Sequence, residues 1–182
     1  MERNKVFHGD CLEVMRDIPD GSVDMILCDL PYGSLKCAWD VVIPFEPLWE
    51  QYKRIIKPNG AIVLFGSEPF SSALRMSNIK QYKYDWYWKK GSSKGNFLNS
   101  KKQPLRTIEN IIVFNANGVY SPVGLKPYDK VVRRGRIDDF YESKYAQSNF
   151  QKFTGYPTEV LDYNKDSVRQ HPTQKPVDLC EY

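Results

Sequence analysis

Asp29, Leu30, Pro31 and Tyr32 follow directly on an apolar run, Val23-Asp24-Met25-Ile26-Leu27-Cys28. A carboxylate, a peptide carbonyl and an aromatic ring in close succession can hold a planar base by its amino group. The exocyclic amine of adenine or cytosine is conjugated with its ring and is a poor nucleophile. The Asp29 carboxylate and the Leu30 carbonyl would accept its two N–H bonds and free the nitrogen lone pair to attack a methyl donor. The Tyr32 ring would stack on a base drawn out of a duplex. Pro31 fixes its own φ and biases Leu30 toward extended geometry, so the corner is stiff. Read from residues alone, the alternative is a strand that ends in an ordinary Pro-Tyr-Gly turn.

The surrounding pattern has to place that corner. Val23 to Cys28 predicts a short buried strand, bounded by a turn at Asp20-Gly21 and a stop at Pro31 to Gly33. Open α/β sheets bind their ligands at the carboxyl ends of such strands. Lys5 to Gly9 predicts a first strand, and Cys11 to Ile18 a helix with Leu12, Met15 and Ile18 turned inward. Asp10 between them is either a helix N-cap or an acceptor at the sheet edge. Pro44 to Lys57 carries Leu48, Trp49, Tyr52, Ile55 and Ile56 at helical spacing and stops at Pro58-Asn59-Gly60. Ala61 to Phe65 predicts a strand, and Glu68-Pro69-Phe70 opens a helix to about Ile79. This β-α-β-α order implies an α/β fold with a mostly parallel sheet. Tyr82 to Lys89 and Thr107 to Phe114 add an antiparallel hairpin.

Positive charge gathers in that hairpin. From Lys80 to Arg106 there are eight Lys or Arg against one acid, Asp85. Lys90, Lys94, Lys101, Lys102 and Arg106 are candidates for phosphate contact; a solvated hairpin is the plainer reading. From Asn115 to Val168 the periodicity loosens, and Arg133, Arg134 and Arg136 form a second basic group able to reach bases or phosphates.

The 182 residues make one domain's worth of chain, 41% hydrophobic and 26% charged, as in soluble globular proteins. No apolar run approaches a membrane span, and the N-terminus shows no signal peptide, which points to the cytoplasm. Cys11, Cys28, Cys37 and Cys180 have no Cys-x-x-Cys spacing and no cluster with His8 or His171, so no metal is expected. A net charge of +4 permits nucleic acid without demanding it.

Asp29-Leu30-Pro31-Tyr32 resembles the Asp-Pro-Pro-Tyr motif of DNA amino-methyltransferases, with Leu30 in place of the commoner proline. His171-Pro172-Thr173-Gln174-Lys175-Pro176 closely resembles a segment of the β class of that family, and Tyr156 to Leu161 is similar to the stretch upstream of it. The resemblance covers Val6 to Tyr182. It implies a Rossmann-like methyltransferase sheet and a restriction-modification type of activity on double-stranded DNA. It places Asp29, Leu30, Pro31 and Tyr32 in catalysis, with adenine preferred over cytosine. S-adenosylmethionine would be the methyl donor, with Asp10, His171, Thr173, Gln174, Lys175 and Pro176 beside it. It divides the chain into a catalytic half (1–114), a target-recognition insert (115–168) whose DNA sequence is not readable, and the start of a donor-binding half (169–182).

In the β-class order a glycine-rich donor loop should follow the helix that begins after Pro176. No Gly-x-Gly occurs in this chain. A fragment, a gene broken in nature and an enzyme split between two chains are the competing expectations. The sheet would then be incomplete at its C-terminus, leaving an open edge that favours a homodimer or a complementing chain. Little activity and weak donor binding are expected of the chain alone. The rival reading is a catalytically inactive or split-subunit nucleic-acid-binding protein on the same fold.

Overall fold

The computed structural model describes residues 4–91, 97–117, 120–132, 149–168, 170–171 and 173–182. Two compact units are distinguished, residues 1–119 with 159–182, and residues 120–158.

The first unit is built on a five-stranded sheet. Its strands are β1 (Val23–Asp29), β2 (Ile56–Gly66), β3 (Tyr82–Lys89), β4 (Ile108–Phe114) and β7 (Val160–Asp162), in the order β1-β2-β4-β3-β7. β1 with β2 and β3 with β7 are parallel, while β4 is antiparallel to both neighbours. Four strands therefore run one way and β4 alone runs the other. This is the mostly parallel sheet with an antiparallel hairpin that the sequence implies.

Alternation along the strands sorts the core into two faces. Ile26, Cys28, Ile62, Leu64, Ile112 and Phe114 lie on one, under α2 (Phe45–Ile55) and α3 (Phe70–Ser77). α2 forms because Leu48, Trp49, Tyr52 and Ile55 recur on one side, and all four are buried. Arg54 near its end donates to the carbonyls of Ile18 and Met15, both at 2.7 Å, and so ties down α1 (Cys11–Val14) and the 3-10 turn Met15–Asp17. The opposite face carries Phe65, Trp88, Ile111 and Leu161 beneath Leu179 of α4 (Val177–Glu181).

Three expectations need correction. Residues 5–9 form no strand, and Val6 is 94% exposed, because no ladder is available to this segment among the described residues. β1 is not a buried strand: among the described residues it pairs with β2 only, and Met25 and Leu27 are 52% and 41% exposed on the face away from α2. β2 starts at Ile56, before the proline and glycine expected to precede it, and the β1–β2 register shifts there to admit the extra residues. Gly60 lies in that shift, where a Cβ would come within 2.7 Å of the Asp24 carbonyl oxygen.

The second unit contains β5 (Lys126–Val132) and β6 (Asn149–Thr154), an antiparallel pair. Val131, Phe150 and Phe153 are exposed on it, and the Lys130 ammonium lies 5.2 Å from the Tyr128 ring centroid.

Candidate active site

Sheet register gathers the site. Asp29 is opposite Phe65, Phe65 opposite Ile111, and Trp88 opposite Glu109. By strand alternation these residues share the face covered by α4, at the carboxyl ends of β1 and β2. The next residue, Leu30, is buried with the core under α2 and α3 and anchors the chain as it leaves the sheet. Tyr32 then turns back so that its hydroxyl donates to Asp29 Oδ1 at 2.8 Å. Its ring stacks on Phe70, with centroids 5.1 Å apart and planes 25° apart. Burial, reinforced by the charge of Asp29, pushes the Tyr32 hydroxyl pKa far above the ordinary phenol range, so it stays a neutral donor.

The turn is held from outside. Gly33 has φ +66°, and a Cβ there would meet Val42 Cγ2 at 2.8 Å. Its N–H donates to Asp40 Oδ1 at 3.0 Å, and that of Leu35 to Oδ2 at 2.5 Å. Burial alone would raise the Asp40 pKa, but the backbone N–H groups facing it win and hold it below the ordinary carboxylate value. Asp40 thus sets the geometry of the turn that follows Tyr32.

A second chain segment reaches the same carboxylate. Lys175 Nζ donates to Asp29 Oδ2 at 2.9 Å. It also lies 3.3 Å from Glu109 Oε2, and 5.5 and 5.2 Å from the ring centroids of Tyr32 and Phe65. Glu109 pairs through its other oxygen with Lys90. The Lys175 side chain is 9% exposed and that of Asp29 is 37%, so the acid is the more solvent-reachable of the two.

The remaining sequence candidates fall in several places. Pro31 joins Leu30 to Tyr32 within the turn. Asp10 is exposed and caps α1 through a 2.8 Å bond from the Leu12 N–H. His171 Nδ1 is 2.9 Å from Thr173 Oγ1, and the His171 ring meets Trp39 edge-on at 5.6 Å. Gln174 ties its loop together, bonding the Gln170 N–H and Asp166, and Pro176 is fully buried. Lys101, Lys102 and Arg106 are exposed. Lys90, expected at phosphates, is instead 12% exposed and turned onto Glu109. Lys94, Arg133, Arg134 and Arg136 lie outside the described residues.

Sequence reasoning missed Asp40, Glu109, Phe65 and Phe70. Asp40 and Glu109 carried no motif, and only the sheet register and the turn bring them to the site. Taken together, the arrangement offers a solvent-reachable carboxylate beside an aromatic ring, with a lysine in contact with it and a second carboxylate within reach of that lysine. Such a group can accept hydrogen bonds from a planar amine and hold its ring by stacking.

Residues 23–182 match the N6_N4_Mtase family model, described as DNA methylase. The chain belongs to this DNA methylase family. Among its relatives, the DNA adenine methyltransferase YhdJ of Escherichia coli (strain K12) is 25% identical over 197 residues, spanning 99% of this chain and 66% of YhdJ. The type II methyltransferase M.BglII of Bacillus subtilis is 38% identical over 65 residues, 32% of this chain and 18% of M.BglII. The chain thus spans at most about two thirds of the length of these two relatives. The solved structure of the PvuII DNA methyltransferase, cytosine-N4-specific, aligns with a TM-score of 0.59 at 14% identity, covering 95% of this chain and 66% of that one. At that identity the likeness concerns the DNA methylase fold alone, and it supports the Rossmann-like sheet. No helix among the described residues is long and apolar enough to cross a membrane.

Proposed function

We propose that this chain carries the base-binding site of a DNA amino-methyltransferase that uses S-adenosylmethionine. Its substrate is the exocyclic amine of a base flipped from double-stranded DNA, adenine in preference to cytosine. One observation carries the reading: Asp29 and Tyr32 meet through a direct hydrogen bond at the sheet's carboxyl edge, with Asp29 open to solvent.

In this role Tyr32 stacks on the extruded base with the ring face that Phe70 does not cover. Asp29 and the Leu30 carbonyl accept from the amine, and Pro31 keeps the two acceptors in fixed relation. Alignment of the nitrogen with the methyl group supplies much of the rate, and the fixed acceptors add electrostatic stabilisation as the nitrogen gains positive charge. S-adenosylmethionine brings the electrophilic methyl group on its sulfonium. The residues present fit a nucleoside donor in one respect: Asp10 is exposed and uses one carboxylate oxygen as a cap, leaving acceptor capacity. His171, Thr173 and Gln174 on the loop before α4 would add polar contacts, with Lys175 and Pro176 setting that loop on the sheet.

DNA would be held by phosphate contacts from Lys101, Lys102 and Arg106, with target recognition assigned to residues 115–168, including Arg133, Arg134 and Arg136. Adenine is preferred because the motif begins with an acid, and the relative YhdJ is described as an adenine methyltransferase. A second reading, a nucleic-acid-binding protein without turnover, is favoured by the engagement of both Asp29 oxygens. Incubation of the full protein with labelled S-adenosylmethionine and duplex DNA, followed by nucleoside analysis, separates the readings. N6-methyladenine is the expected product; N4-methylcytosine would overturn the base preference, and tight DNA binding with no methyl transfer would favour the second reading.

A further inference from the structure

Building on that reading, we propose that Lys175 is a positioning residue that occupies the amine's seat on Asp29 in the resting site and moves to Glu109 when a base arrives. Its ammonium lies where an incoming amine has to go. It donates to Asp29 Oδ2 at 2.9 Å and stands over the Tyr32 ring at 5.5 Å. Phe70 covers one face of the Tyr32 ring, and in this exchange Lys175 and the base take turns at the other.

A destination for the displaced charge is already built. Glu109 Oε2 is buried and has no hydrogen-bond partner among the described residues, although it sits 3.3 Å from Lys175 Nζ. A buried carboxylate oxygen left without a hydrogen bond is costly, and this ammonium, 3.3 Å away, is a donor that can satisfy it. The Phe65 ring centroid, 5.2 Å from Nζ, offers the ammonium its negative face as well. The shift asked of Nζ is therefore short, and the charge stays paired and out of water throughout. Lys90 holds the other oxygen of Glu109 and keeps it from following.

The exchange makes Asp29 available only against a competitor. An amine that offers N–H donors and a ring to stack on Tyr32 replaces the ammonium. Removing Glu109's charge strands the ammonium on Asp29, whereas removing the ammonium makes Glu109 irrelevant to base binding. Glu109 and Lys175 are thus coupled in a sign-definite way.

The test uses the full protein and 9-methyladenine as the amine-bearing probe, with 9-methylpurine, which lacks the amine, as its control. In nitrogen NMR the Lys175 ammonium signal is expected to move in both Asp29→Asn and Glu109→Gln. A signal unmoved by either change overturns the sharing and leaves the proposed function standing. The affinity for 9-methyladenine is expected to fall about tenfold in Glu109→Gln and to recover in the Glu109→Gln, Lys175→Met double variant. Equal affinity in the native protein and Glu109→Gln overturns the exchange alone. Failure of every variant, Lys175→Met included, to prefer 9-methyladenine over 9-methylpurine overturns the amine-binding reading itself and the exchange with it.

Discussion

The Tyr32 hydroxyl donates to Asp29 Oδ1 over 2.8 Å, from three residues further along the chain. The contact joins the two groups assigned to grip a base, one by its amine and one by its ring. Tyr32→Phe removes the donor and keeps the ring, so it is expected to lower methyl transfer by about tenfold while base stacking survives, a loss of about 1.4 kcal/mol. Tyr32→Ala removes the stacking face as well and is expected to cost more. Single-turnover rates for the two variants check the order; a faster Ala variant would contradict it.

Asp40 is predicted to make the molecule acid-sensitive. Its folded-state pKa lies below the ordinary value of 3.8, so its contribution is fully present above that value. The contribution fades as the pH falls through the depressed folded value, because the folded state must then take up a proton against its backbone N–H donors. Asp40→Asn should flatten this part of the stability profile. Urea titrations of both proteins at a series of acid pH values measure the difference; parallel profiles would show that the Gly33 and Leu35 contacts do not govern it.

Much of this architecture was legible in the residues, and the failures have physical causes. The helical spacing of Leu48, Trp49, Tyr52 and Ile55 and the alternation of Tyr82 to Lys89 report local periodicity, and both elements formed as expected. Asp29 and Tyr32 were visible because they are neighbours in sequence. Glu109 was not, since its place beside Asp29 depends on the order β1-β2-β4-β3, which no local pattern encodes. The segment before Asp10 read as a strand because Val6 and Phe7 are strand formers, but a strand also needs a ladder to join. Lys90 read as a surface charge because spacing cannot tell which lysine of a basic run folds inward onto an acid.

The face of the sheet under α4 is closed by Leu179, which packs with Phe65, Trp88, Ile111 and Leu161. Leu179→Ala is expected to destabilise the first unit by about 2–4 kcal/mol, through lost burial and the cavity left behind. Because Lys175 enters the site just ahead of α4, the same change should broaden its NMR signal. Chemical denaturation gives the energy; a loss below about 0.5 kcal/mol, as for a surface site, would show that α4 is not packed as described.

β1 presents an unpaired edge among the described residues, with Met25 and Leu27 exposed beside it. Such an edge invites strand addition from another chain. The protein is expected to self-associate with rising concentration, and Leu27→Lys should reduce the association by setting a charge on that face. Sedimentation velocity checks both; a concentration-independent monomer would contradict the expectation.

The decisive measurement is methyl transfer from S-adenosylmethionine to duplex DNA by the full protein and by its Asp29→Ala variant, with DNA binding followed in parallel. Turnover is expected to fall to background in Asp29→Ala while DNA affinity changes little. Turnover retained without the Asp29 carboxylate would contradict that expectation.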